Sequence, residues 1–328
     1  MRRAFVTGVA GFAGSHLAEH LLARGREVFG LVLRRQDVRN LQPSMAGETT
    51  SRLHVVDGDL LHEADLRTAL QDIRPDEVYH LAAQSSVRVS LEDPAATFRV
   101  NVLGTRNLLE AIRRAACRPR VLCVSSAEVY GESARSGAPL DEERPLLPLT
   151  PYASSKAAAE QVARRYAADH GLDVVRMRPF PHTGPRHAPH FVYPDLTRQL
   201  CEIRAGRRAP EVQVGNLEVR RDLSDVRDVV AAYVLALEHG ESGGVYNVCC
   251  GRPVSLRDVL QTLIALIGVR VDVIVQATRC RPQDLDILCG SSRALRAETG
   301  WEPRIPLDTT LRDLLAYWES RVASDDRG

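Results

Sequence analysis

Three glycines at a spacing of three constrain this chain more than any other feature. Gly8-Val9-Ala10-Gly11-Phe12-Ala13-Gly14 follows a short apolar run, Ala4–Thr7. It opens a stretch of helical spacing, Ser15–Ala23, with Leu17, Leu21 and Leu22 on one face. Such glycines let the chain turn sharply from strand to helix and bring its backbone against a pyrophosphate. The first free N–H groups of the helix then face the anion. In this context the spacing predicts a nucleotide-binding βαβ unit.

The alternation continues downstream. Val28–Leu33, His54–Val56, Glu77–Ala82, Arg120–Ser125 and Val174–Arg178 read as strands, and Glu63–Gln71, Ala95–Ala115 and Tyr152–His170 as helices. This order predicts an α/β fold with a doubly wound parallel (Rossmann) sheet. Five prolines between Pro179 and Pro194 break the pattern and mark a boundary. Residues 1–178 are expected to bind the dinucleotide. Residues 179–328 are expected to form a smaller, mostly helical substrate lobe, with part of 222–250 returning to the sheet. Helices are expected there near Asp195–Ala205, Val226–Glu238, Leu256–Ile267 and Leu311–Glu319, and strands near Val245–Val248 and Val271–Val275.

Composition narrows the function. Lysine plus arginine total 43 against 42 acids, a net charge of +1. That balance argues against nucleic acid or a membrane surface as partner, since both call for a basic excess. No apolar run reaches the roughly 18 residues of a membrane span. Arg2 and Arg3 precede an apolar segment, but glycines interrupt it and helical sequence follows at once, so it is not read as a signal peptide. Seven cysteines with no C-x-x-C pair offer no disulfide framework, and a cytoplasmic location is expected. Adjacent Cys249 and Cys250 are read as small buried apolar residues. His182, His187 and His190 cluster without an acidic or thiol partner in sequence, so no metal is expected.

Lys156 is the single lysine, against 42 arginines. It stands four residues after Tyr152, which places ammonium and phenol on one helix face. The ammonium is expected to lower the phenol's pKa and make Tyr152 a usable proton donor or acceptor. Arginine would serve poorly there, being bulkier and unable to lose a proton. Ser125-Ser126-Ala127-Glu128 ends a strand, where open α/β sheets bind ligands. Ser126 is expected to bind a substrate oxygen, and Glu128 offers a general base. At the end of the second strand, Arg34 and Arg35 stand where an NAD site has an acid. Two guanidinium groups suit a 2′-phosphate, so NADP(H) is favoured over NAD(H).

These residues resemble the extended short-chain dehydrogenase/reductase family acting on nucleotide sugars. The resemblance rests on Gly8/Gly11/Gly14, Asp59-Leu60, His80-Leu81-Ala82-Ala83, Asn101, Ser126 and Tyr152 with Lys156. Gln84-Ser85-Ser86-Val87, Arg178-Pro179-Phe180, His182, Gly184-Pro185, Val214-Gly215-Asn216-Leu217-Glu218, Arg221-Asp222 and Arg281-Pro282 look like the GDP-mannose branch of that family. Within it the likeness leans to the reductases of GDP-4-keto-6-deoxy-D-mannose, which make GDP-D-rhamnose, with the GDP-mannose 4,6-dehydratases as near relatives. The resemblance implies a catalytic set of Ser126, Tyr152, Lys156 and Glu128. It implies cofactor contacts from Gly8, Gly11, Phe12, Ala13, Gly14, Arg34, Arg35, Asp59, Leu60, Leu81, Ala82 and Ala83. Substrate contacts are implied for Gln84, Ser85, Ser86, His182, Asn216, Arg221 and Arg281, with the last two arginines clamping the diphosphate. It also implies a homodimer formed through the helices Ala95–Ala115 and Tyr152–His170.

Two positions depart from the pattern. Pro181 stands where the family usually has Asn, which puts substrate identity in question. Ala127 stands where many dehydratases carry a second acid or a hydroxyl, which weakens dehydration without excluding it. A dehydratase or epimerase that recycles bound NADP is therefore the rival reading, and a non-catalytic NADP sensor the distant one.

Overall fold

The computed structural model describes residues 1–33, 38–42, 50–280 and 284–324. The first half alternates β1 (Arg3–Thr7), α1 (Phe12–Ala23), β2 (Glu27–Val32), β3 (Leu53–Asp57), α2 (Glu63–Ile73) and β4 (Glu77–His80). It continues through α3 (Val87–Glu92), α4 (Pro94–Phe98), α5 (Gly104–Arg114), β5 (Arg120–Val124), α6 (Pro151–His170) and β6 (Val174–Pro179). The second half runs β7 (His182–Thr183), α7 (Val192–Arg204), β8 (Glu211–Val214), β9 (Arg220–Asp222), β10 (Ser224–Asp225), α8 (Val226–His239) and β11 (Val245–Val248). It ends with β12 (Pro253–Ser255), α9 (Leu256–Ile267), β13 (Asp272–Val275), β14 (Ile287–Leu288), α10 (Arg293–Thr299) and α11 (Leu307–Ser324).

Seven strands form one sheet in the order β11-β6-β5-β4-β1-β2-β3. Every neighbouring pair is parallel. The order reverses between β1 and β4, and ligands of such sheets bind beyond the strand C-termini at that switch. β6 is buried at every position (Val174 to Pro179), as expected of a strand covered on both faces.

One face of the sheet packs on α1 and α8, with Leu17, Leu21, Val229, Tyr233 and Trp301 in a common core. The other face packs on α2, α5 and α6 through Leu66, Leu70, Leu108, Ile112 and Ala163. A separate core joins α7, β8, α9 and α11, including Leu200, Leu263, Leu314 and Trp318. α8 and β11 thus join the main sheet layers, and so does Trp301 beyond α10, whose Nε1 donates to Asp228 O at 3.0 Å.

The expected helix Ala95–Ala115 forms as one continuous helical stretch that carries a π-type turn within it. A π-type turn, Arg99–Leu103, separates α4 from α5. Asn101 lies inside this turn and is fully buried. Its side chain accepts from Gln84 N at 2.8 Å and donates to Gln84 O at 3.0 Å and Ser155 Oγ at 2.9 Å. The extra residue in the turn aims the amide at the loop after β4 and at α6. Such bulges mark functional sites more often than chance allows.

Candidate functional site

The glycine turn is built to admit an anion. Gly8 has φ +72°, and a Cβ there would lie 2.8 Å from Ala82 N and 2.9 Å from Ala82 Cα. The backbone of Leu81–Ala82 therefore packs directly against the turn. Gly11 caps α1 with no side-chain acceptor, and the first turn holds no acid. The helix N-terminus is left open to a phosphate. Thr7 Oγ1 accepts from Ala82 N at 3.2 Å and pairs with His80 Nδ1 at 2.8 Å, while His80 Nε2 pairs with Thr105 Oγ1 at 2.9 Å. Burial pushes His80 down to about 3, so it is neutral beneath the turn. Gly8, Gly11, Phe12, Ala13, Gly14, Leu81 and Ala82 thus share one rim. Leu60 packs under Gly104, and Asp59 Oδ1 accepts from Leu61 N at 2.9 Å, shaping the loop after β3. The residues present fit a dinucleotide. Arg34 and Arg35 lie outside the described residues, as does Arg281.

α6 carries the second part of the site. Thr150 caps it through Ala153 N at 3.1 Å, and Pro151 occupies its first turn. Tyr152 and Lys156 share a face, both buried. Lys156 Nζ donates to Val124 O at 2.7 Å. Ser126 caps the short turn Ala127–Tyr130 and accepts from Glu128 N at 3.2 Å. The structure brings Ser126, Tyr152, Lys156 and the half-buried Glu128 together at the C-terminal end of β5.

Their electrostatics differ from the sequence expectation. The phenol of Tyr152 is pushed up to about 12, chiefly by burial. A hydrogen bond with Ser126 lowers it and the charge of Glu128 raises it. Lys156 is pulled down to about 8, again chiefly by burial, and nearby Cys123 and Glu160 oppose that. The ammonium is bound to a backbone carbonyl and does not depress the phenol. At neutral pH Tyr152 holds its proton and Lys156 is mostly charged.

The described substrate candidates fall into four groups. Ser85 and Asn216 are exposed and open to a ligand. Gln84 and Ser86 hold their own loop: Gln84 Nε2 donates to Thr97 Oγ1 at 2.9 Å and Ser86 O at 3.0 Å, and Ser86 Oγ caps α3. Arg221 donates to Asp284 Oδ1 at 2.5 Å and Leu285 O at 2.7 Å, fixing β9 against the chain beside β14. His182 Nδ1 bonds Phe180 O at 2.9 Å. The rings of His182 and His187 both stack on Phe12, at 5.8 and 4.2 Å between centroids. The proline-rich linker is thereby held against the mouth of the glycine turn.

The structuring roles of Asp222 and Glu160 escaped the sequence reading. Asp222 is fully buried and accepts from Cys250 N and Gly251 N at 2.9 Å and from Gly290 N at 3.2 Å. Glu160 forms a two-pronged ion pair with Arg178, at 2.6 and 3.1 Å. Spacing offered a signal for Glu160, one helical turn beyond Lys156. The three backbone donors gathered on Asp222 come from segments far apart in sequence and offered none.

The chain matches the GDP-mannose 4,6 dehydratase family over residues 5–314. It is 36% identical to the GDP-6-deoxy-D-mannose reductase of Pseudomonas aeruginosa over 325 residues, 99% of both chains. The structure of RMD from Pseudomonas aeruginosa complexed with NADPH aligns at a TM-score of 0.83 with 34% identity, covering 98% of this chain and 100% of that one. UDP-glucose 4-epimerase of Thermus thermophilus, in complex with NAD, aligns at 0.83 with 32% identity over 96% and 98% of the two chains. With its Rossmann sheet, glycine turn and Tyr152/Lys156 pair, the chain belongs to the GDP-mannose 4,6-dehydratase family of extended short-chain dehydrogenases/reductases.

Proposed function

We propose that this protein is an NADPH-dependent reductase of the C4 keto group of a nucleotide-linked 4-keto-6-deoxy sugar, converting GDP-4-keto-6-deoxy-D-mannose to GDP-D-rhamnose. The observation that carries the reading is the 36% identity to a GDP-6-deoxy-D-mannose reductase over essentially the whole of both chains. The state of the site supports it. A ketone reduction consumes a proton, and Tyr152, pushed up to about 12, starts as the donor. Ala127, buried beside Glu128, supplies neither acid nor hydroxyl for loss of water.

Bound NADPH supplies the hydride. Ser126 orients the carbonyl and Tyr152 donates to its oxygen. Lys156 holds the nicotinamide ribose through its ammonium. The N-terminus of α1 and the turn Gly8–Gly14 hold the pyrophosphate, and Arg34 and Arg35 take the 2′-phosphate. Asp59, Leu60, Leu81, Ala82 and Ala83 line the cofactor groove. We assign contacts with the nucleotide sugar to Ser85, His182, Asn216, Arg221 and Arg281, with Gln84 and Ser86 shaping the loop that carries Ser85. We assign residues 1–178, with the returning part of 222–250, to cofactor binding and 179–328 to the nucleotide sugar. NAD(H) is the second choice of cofactor.

Glu128 favours one rival. Its charge reaches Tyr152, so it stands where a dehydratase base would stand. Incubation with GDP-mannose and no added cofactor separates the two readings. The reductase leaves GDP-mannose unchanged and converts GDP-4-keto-6-deoxy-D-mannose only when NADPH is added. Release of the 4-keto sugar from GDP-mannose would overturn the assignment in favour of the dehydratase.

We further propose a cytoplasmic homodimer. Phe98 and Leu103 are exposed along the α4–α5 segment, and pairing that segment and α6 with a second copy would cover them. Among the described residues no helix is long and apolar enough to cross a membrane. A monomer by light scattering would contradict the dimer.

A further inference from the structure

A small cavity of about 10 Å³ lies behind the catalytic helix, lined by Ser125, Lys156, Glu160 and Arg176 together with His80 and Cys123. Two cations, Lys156 and Arg176, line it, and Arg178 joins them through Glu160. Lys156, Arg176 and Arg178 are all at least nine-tenths buried. One carboxylate, Glu160, serves them. It is gripped by Arg178 at 2.6 and 3.1 Å and approached by Arg176 Nη1 at 3.6 Å. Glu160 lies one turn beyond Lys156 on α6, so the two share a face.

The other titratable groups facing Lys156 carry no charge at neutral pH. Burial drives Cys123 on β5 up to about 12 and His80 on β4 down to about 3, and Tyr152 on α6 keeps its proton. Glu142 reaches Arg178 from the far side, where its Oε1 accepts from Asn247 N at 2.7 Å. Guanidinium groups do not lose protons in proteins, whereas a buried ammonium does. Any charge imbalance in this cluster therefore falls on Lys156.

We propose that Glu160 is the counter-ion that keeps Lys156 an ammonium ion, by balancing the cluster of buried cations behind the catalytic helix. Glu160 touches no reacting atom. It is a positioning residue that acts through Lys156. The proposal deepens the reading of Lys156 as the charged partner of the cofactor. It also explains why the grip on Glu160 comes from arginine: the fork fixes the carboxylate without competing for the proton. The opposed effects of burial and of Glu160 on the ammonium agree with this arrangement.

Because Lys156 is the only lysine, labelling the full-length protein with carbon-13 and nitrogen-15 lysine gives a single side-chain signal to follow by NMR. In the unaltered protein its titration midpoint is expected near 8. Glu160→Gln is expected to lower that midpoint by about 1–3 pH units, the size of a lost opposite charge nearby. Arg176→Met removes one cation and is expected to raise it. The double variant should return toward the starting value. A Glu160→Gln midpoint within about 0.3 units of the unaltered protein would overturn the proposal, since Glu160 would then not act on Lys156. If Glu160→Gln does not fold, Arg176→Met alone decides: an upward shift supports the proposal and no shift refutes it. The titration needs no sugar substrate, so failure of the reductase assignment would show in turnover and leave this result standing.

Discussion

Replacing Gly8 with alanine tests the cofactor site at its tightest point. The residue sits at φ +72°, and a Cβ would meet Ala82 N at 2.8 Å and Ala82 Cα at 2.9 Å. A left-handed conformation costs a residue with a Cβ about 1–2 kcal/mol. Overpacking against backbone adds about 1–3 kcal/mol, because neither strand end can move without disturbing the sheet. Together these amount to about 2–5 kcal/mol, which lowers the melting temperature by roughly 3–7 °C in a chain of 328 residues. The effect on NADPH is separable. The turn must open to accept the methyl, drawing backbone donors away from the pyrophosphate. Loss of one hydrogen bond to a charged group costs about 1.5–3 kcal/mol, so affinity should fall about ten- to a hundredfold. Differential scanning fluorimetry and a titration of NADPH fluorescence measure the two effects. Affinity within threefold of the unaltered protein would refute the reasoning, because the turn would then not be in contact with the cofactor.

Other outcomes are expected. Tyr152→Phe should lower kcat by about 10²- to 10⁴-fold, the worth of a positioned proton donor, with NADPH affinity retained. Lys156 is active as the ammonium and its value is lowered to about 8, so kcat/KM should be level below that pH and fall about tenfold per unit above it. A profile level to pH 10 would show that the charge is not needed. Arg34→Ser combined with Arg35→Ser should reduce the preference for NADPH over NADH by about tenfold or more, measured as the ratio of kcat/KM values.

Most of the sheet was legible in the sequence because its signal is local. Short apolar runs bounded by glycine and followed by amphipathic stretches produced β1 to β6, and Leu256–Ile267 was read to the residue. The π-type turn between α4 and α5 was not legible. It exists because Asn101 bonds the backbone of Gln84 and the side chain of Ser155, partners in other elements. Strands of two or three residues, such as β7, β10 and β14, are set by the chain they lie beside and have no pattern of their own. The proline-rich linker was rightly read as irregular, but its stacking on Phe12 depends on rings brought together by the fold.

The site divides in the same way. Tyr152 and Lys156 were visible because helix periodicity places them together. Their protonation was not, since burial sets both values and burial is tertiary. Spacing alone suggested an ammonium that lowers the phenol. The structure has the ammonium on Val124 O and the phenol raised. That difference shifts the chemistry toward a tyrosine that begins as an acid, the state a ketone reduction needs.

The central claim is hydride delivery to the sugar C4 with a proton from Tyr152. The most direct test is transfer of deuterium from NADPH labelled at nicotinamide C4 to GDP-4-keto-6-deoxy-D-mannose, followed by NMR of the product. The account predicts one deuterium at C4 of the sugar, with NADP released in equal amount and transfer slowed about 10²- to 10⁴-fold in Tyr152→Phe. Deuterium at another carbon, or turnover without net loss of NADPH, would contradict it.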